Sequence, residues 1–228
     1  MNFLRFLLLS LCLLTSLLSY GDMYVDRSIV IFEPDSPPRQ DVKVSNTGEE
    51  VMYVQVEVFK VNNPGEENEE RLKVDNPREL QLIATPNKLI IPAGGQKLIR
   101  IVNLDQANET ERVYRINVTP VLPPLQEETS QLRIVVAYQI LTIVQPDEPE
   151  SKLETNREGQ VITFVNNGNS NILLSEGSQC NPATSDECED LPSQRLYAGN
   201  TWQLELPYDG PVSYSVRSYD GIKKQIFP

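Results

Sequence analysis

The side chains able to do chemistry in this chain are few, and their spacing restricts them further. Cys180 and Cys188, in CNPATSDEC, are too far apart for the C-x-x-C of a redox site. Neither a second cysteine pair nor any histidine is present to complete a zinc site. The total absence of histidine also removes the commonest general base. The carboxylates of GEENEERLK gather in one stretch but lack the D-x-[DN]-x-[DN]-G spacing of a calcium loop. PAGG (92–95) reads as a hairpin turn, and no phosphate-cradling glycine pattern occurs. Asn108 and Asn117 open glycosylation sequons, which matter only in a host that modifies them. The residues therefore predict no enzyme, no metal and no cofactor.

Two arginines remain of interest. Arg100 in LIRIV and Arg115 in VYRINV each sit between apolar neighbours, so each points away from a core-like face. Each reads either as an exposed stabilising charge or as an anchor for a carboxylate, which the planar guanidinium fork suits.

The elements that must position these residues are almost wholly β. YVDRSIVIF (24–32), DVKVSN, VMYVQVEVFKV, LQLIAT, KLIRIVNL, RVYRINV and LRIVVAYQILTIV (132–144) are strand candidates separated by turn signals. Seven strands in this span fit an immunoglobulin-like sandwich. Residues 62–79 read as a polar, acidic, mobile loop. A second β pattern follows QPDEPESK, with a turn at Asn166-Asn167-Gly168. The expected architecture is all-β: a domain over 22–146 and a second over 147–228.

Residues 1–21 read as a secretory signal: Arg5 precedes FLLLSLCLLTSLL, and small residues Ser19 and Gly21 precede the cut. The even cysteine count left after cleavage predicts a Cys180–Cys188 disulfide formed in an oxidising compartment. A net charge of −12 disfavours nucleic acid and anionic lipid surfaces.

SQLRIVVAYQILTIVQP (130–146) stands apart. Leu132, Ile134, Val136, Tyr138 and Ile140 share one face, an uninterrupted apolar row. Such a row fills its own core or completes another protein's sheet.

With ATPNKLIIPAGGQKLIRI (84–101), VYRINVTPV and VNNGNSN with its cysteine loop, this stretch resembles the periplasmic chaperones of the chaperone–usher pathway, the alpha class above all. The resemblance implies two immunoglobulin-like β-sandwich domains at an angle, and a non-enzymatic periplasmic chaperone. It would bind pilin subunits by donor-strand complementation, block their premature polymerisation and deliver them to an outer-membrane usher. Residues 130–145 would be the donor strand, with Leu132, Ile134 and Val136 inserted and Tyr138 and Ile140 nearer the cleft. The basic pair that grips the pilin carboxylate in better-known members falls here on Ile29 and Leu141. The resemblance therefore points to Arg115 as the carboxylate anchor, with Arg100 next. Self-association of the unbound chain is a further expectation. The alternative is a structural fimbrial subunit or surface adhesin.

Overall fold

A computed structural model of the protein describes residues 23–74, 76–105, 108–121, 135–184 and 187–228. The signal-like residues 1–21 and the donor positions Leu132 and Ile134 lie outside the described residues. The described chain is nearly all strand. The first half holds β1 (Met23–Val25), β2 (Ile29–Phe32), β3 (Arg39–Asn46), β4 (Met52–Asn62), β5 (Glu70–Lys73), the short α1 (Pro77–Leu80), β6 (Leu82–Thr85), β7 (Lys88–Ile91), β8 (Gln96–Asn103), β9 (Arg112–Val121) and β10 (Tyr138–Val144). The second half holds β11 (Leu153–Glu158), β12 (Val161–Asn166), β13 (Ile172–Cys180), β14 (Cys188–Leu191), β15 (Gln194–Leu196), β16 (Thr201–Glu205), β17 (Val212–Ser218) and β18 (Gly221–Phe227).

Each half is a two-sheet sandwich. In the first, β1-β3-β8-β6 faces β2-β10-β9-β4-β5, with β7 also paired to β4. The period of two along β4 explains the layering: Val54 and Val56 are buried, while Tyr53 and Gln55 look outward. They meet Val42, Val44, Ile99 and Ile101 from the opposite sheet in one core. In the second half, β11-β12-β16 faces β14-β13-β17-β18, with β15 on β13. An aromatic cluster fills it: Phe164 stacks on Trp202 at 5.4 Å and meets Tyr214 and Phe227 edge-on. Cys180 and Cys188 are bonded across the β13–β14 pair.

Two sequence expectations change here. The stretch 24–32 is not one strand. It leaves the first sheet after β1 and joins the second as β2, pairing parallel with β10. The crossing is pinned by Asp26, whose N–H donates to the Lys43 carbonyl and whose carboxylate accepts from the Lys43 N–H at 2.8 Å. Nor is 62–79 simply a loop. β4 runs on to Asn62, β5 returns antiparallel to it, and α1 follows. Lys73 pairs with Glu57 across this hairpin at 2.6 Å.

The tip of the β4–β5 hairpin presses on the second half. Gly65, at φ +76°, faces the Tyr197 ring and Asn200; a Cβ there would lie 2.9 Å from Asn200 Oδ1 and 3.0 Å from the ring. Gly159 has a similar φ of +62° but open space beside it. Gly65→Ala should therefore cost more stability in urea unfolding than Gly159→Ala, which pays only the left-handed strain of about 1 kcal/mol. Equal costs would show that the hairpin tip does not bear on the second sandwich.

Candidate functional site

β10 runs from an open sheet edge to a closed one. On one side it pairs with β9 along its whole length, Tyr138↔Val118 through Val144↔Arg112. On the other side β2 covers only Leu141 to Val144. The first contact of that pairing is Leu141 N–H to Ser28 carbonyl at 2.9 Å. Tyr138 to Ile140 thus have no strand on that side among the described residues, and the chain just upstream, Val135 and Val136, is exposed. Val135 and Val136 also line a groove of about 930 Å³ with Met23, Tyr53, Ile90 and Val121. An uncovered edge beside exposed valines is the surface that proteins ordinarily protect.

The described part of the row, Val136–Ile140, does not stay on one surface. Ile140 is fully buried in its own sandwich, and Tyr138 packs against that core while its hydroxyl donates to the Met23 carbonyl at 3.1 Å. Of the described donor positions, only Val136 is exposed. Beyond Ile140 the alternation ends, because both faces of Leu141–Val144 are covered. The outer cover is Tyr197 from the second half, which joins Val61, Val113, Leu141 and Ile143 in a small cluster where the sandwiches meet.

Ile29 and Leu141 are direct partners in the β2–β10 pair. Ile29 is exposed and Leu141 buried, so this place carries no charge. The neighbouring guanidinium is that of Arg115, opposite Leu141 on β9 and Phe59 on β4. Its Nε is buried and has no hydrogen-bond partner among the described residues. It lies within electrostatic reach of Glu69, Tyr197 and Arg195. Burial pushes the Glu69 carboxyl up, but the Gly65 N–H, Arg71 and Arg115 outweigh it and hold it below the usual range. Burial likewise raises Tyr197 above an ordinary phenol.

Arg100 sits elsewhere. It projects from β8 on the other sheet and makes a two-pronged ion pair with Asp41, at 2.9 and 3.0 Å. That bonding lowers the Asp41 pKa and raises that of Arg100. This geometry places Arg100 in an exposed ion pair on the opposite sheet from Arg115.

Sequence reasoning missed Glu111, which joins the halves just before β9. Its Oε2 accepts from the Asn171 N–H at 2.9 Å and from Asn171 Nδ2 at 2.7 Å. Its Oε1 accepts from the Ala198 N–H at 3.2 Å, and its own N–H donates to the Asn169 carbonyl. Burial raises its pKa against the pull of these donors. Asn169 Nδ2 adds a bond to the Glu109 carbonyl at 2.9 Å. Nothing local marks Glu111 in the sequence; its partners lie tens of residues away in the second half.

Among the described residues no cluster of acidic, cysteine or histidine side chains is placed to hold a metal. No described helix is long and apolar enough to cross a membrane.

The family described as pili and flagellar-assembly chaperone, PapD N-terminal domain, matches residues 22–150, more than half of the chain. The chain belongs to this chaperone family. An Escherichia coli relative, a fimbrial subunit of CFA/I, is 30% identical over 81% of each chain. A second Escherichia coli relative, a fimbrial subunit of CS1, is 25% identical over 79% of each. Among solved structures, the class 5 fimbriae chaperone CfaA superposes with a TM-score of 0.63 at 21% identity, over 90% of this chain and 99% of that one. The Salmonella enterica SafA pilin–SafB chaperone complex gives 0.62 at 15% identity, over 92% and 96%. These likenesses establish the two-domain immunoglobulin-like fold of pilus chaperones for this family member.

Proposed function

We propose that this family member is a periplasmic, non-enzymatic assembly chaperone. It holds fimbrial subunits by lending them the strand that leads into β10, keeps them from polymerising early, and passes them to an outer-membrane usher. One observation carries the reading: the β10 edge is left uncovered where β2 stops, and Val135 and Val136 just upstream of it in the chain are exposed. A guest strand laid there would gain backbone hydrogen bonds, and the alternating side chains Leu132, Ile134 and Val136 would fill its groove. Tyr138 steadies the strand and Ile140 roots it in its own core. Solved complexes of a chaperone with a tip adhesin and with a pilin on this fold support the choice of partner.

Expression of the whole chain in a periplasm with its genomic neighbours tests the proposal. A one-to-one soluble complex with a fimbrial subunit is expected. Recovery of the chain in surface fibres would assign it instead as a structural subunit or adhesin.

The buried, unpartnered Nε of Arg115 supports its role as the anchor for the carboxylate that ends the guest chain. Arg115→Ala should cut subunit capture about tenfold or more, the loss expected for one charge-assisted hydrogen bond. Arg100→Ala should leave capture unchanged, because that guanidinium is bound to Asp41 on the other sheet. The two variants, compared by co-purification and by melting temperature of the free protein, separate anchoring from folding.

A further inference from the structure

The second sandwich presents a basic face that the proposed strand exchange does not use. Strand register places Arg195, Leu173, Arg217 and Ile222 in one straight row across β15, β13, β17 and β18. All four point away from the core, since Leu196, Leu174 and Val216 point into it. The next row outward is Ser175, Ser215 and Lys224. In a chain with 32 acidic residues against 20 basic ones, these two rows carry three cations and no carboxylate. The nearest acids along β13 and β14 are Glu176, exposed in the irregularity directly after Ser175, and Asp190, opposite Ser178 beyond it.

The Arg195 end of this face lies at the junction with the first sandwich. Arg195 bonds to Asn171 Oδ1, the same residue whose amides hold Glu111. Arg195 lies within electrostatic reach of Tyr197 and Glu111, and, more weakly, of Arg217 on its own face and Arg115 across the junction. Neither Arg195 nor Arg217 forms an ion pair with a described carboxylate. Glu111 offsets part of the Arg195 charge, but Arg217 beside it pairs with no described carboxylate, and an incoming anion there removes the remaining repulsion between the two guanidiniums. The apolar residues Leu173 and Ile222 flank Arg217 and would cover the stem of an acidic side chain.

We infer that the Arg195–Leu173–Arg217–Ile222 face receives an acidic side chain of the bound fimbrial subunit, close in sequence to the carboxyl terminus held at Arg115. The inference rests on the chaperone reading above and adds a specificity element to it. Subunits with a carboxylate at that place are favoured over those with a neutral residue.

The probe is a pair of synthetic peptides of alternating valine and threonine with a free carboxyl terminus. One bears glutamate three residues from that end and the other glutamine. Each is titrated into the full mature chain, and the backbone amide of Val136 and the side-chain Nε–H signals of Arg115, Arg195 and Arg217 are followed by NMR. The glutamate peptide should shift Arg195 and Arg217 and bind about tenfold more tightly, in the range of a charge-assisted hydrogen bond. Arg217→Gln should abolish the difference between peptides, and Arg217→Lys should restore part of it, with the melting temperature unchanged in both. If both peptides shift Val136 and Arg115 equally and leave Arg217 untouched, the inference fails while the chaperone reading stands. If neither peptide shifts Val136 or Arg115, the chaperone reading itself fails. A response of Arg217 to phosphatidylglycerol vesicles and not to peptide would overturn the inference in favour of a lipid surface.

Discussion

Aspartate at Val136, or at Ile134 two residues upstream, is expected to abolish co-purification of a fimbrial subunit while the free protein melts as before. Val136 is exposed, so the substitution buries no charge in its own fold, and surface changes usually move stability by less than about 0.5 kcal/mol. In the complex the same side chain would enter an apolar groove. It would forfeit about 1.5–3 kcal/mol of aliphatic burial and add a desolvation penalty of several kcal/mol for the carboxylate. Together these correspond to a loss of more than about a hundredfold in affinity. Ile140→Ala is the instructive contrast. Ile140 belongs to its own core, so that variant should lose about 2–5 kcal/mol of folding stability. Normal subunit recovery with aspartate at both 134 and 136 would refute strand donation.

The second large effect is expected at Glu111. Replacing it with alanine leaves the N–H groups of Asn171 and Ala198 without their acceptor at a half-buried junction. Orphaned donors of this kind cost about 1–3 kcal/mol each, so a combined loss of about 2–6 kcal/mol is expected. The readouts are urea unfolding and the rate of proteolysis within 145–152, which should rise. The pH profile gives an independent check. Burial holds the Glu111 pKa above its ordinary 4.5. In the interval between those two values the folded state binds a proton that the unfolded state does not. The contribution of this group to stability therefore grows as pH falls through its folded pKa and is lost again as pH rises. Glu111→Gln, which cannot titrate, should flatten that part of the profile. An unchanged profile would show that Glu111 is freely hydrated.

Much of the first sandwich was legible because its strands alternate cleanly. β4, β8 and β9 each show their buried and outward residues in the bare pattern. Arg115 could be found the same way, as a charge opposite a core face. The row from Leu132 to Ile140 misled at its end. Periodicity states that residues share a face but not what covers it, and the cover changes from solvent at Val136 to core at Ile140. The sheet change between β1 and β2 was invisible because no glycine or proline marks it. It is held by hydrogen bonds between Asp26 and Lys43, a pairing set by fold rather than by neighbours. The docking of Gly65 on Tyr197 and the bond of Glu111 to Ala198 were unreadable for the same reason: each joins segments more than eighty residues apart.

The short reach of β2 has a consequence for whatever lies alongside β10. Because β2 begins at Ile29 and takes the Leu141 N–H through Ser28, the lane beside β10 is a cul-de-sac with a fixed back wall. A visiting strand that slides toward the junction halts there, so its depth is gauged by a barrier of backbone as well as by matching side chains. Lengthening the connector at 26–28 would move that wall, and a two-residue step would carry every docked side chain to the next pocket along without turning it over.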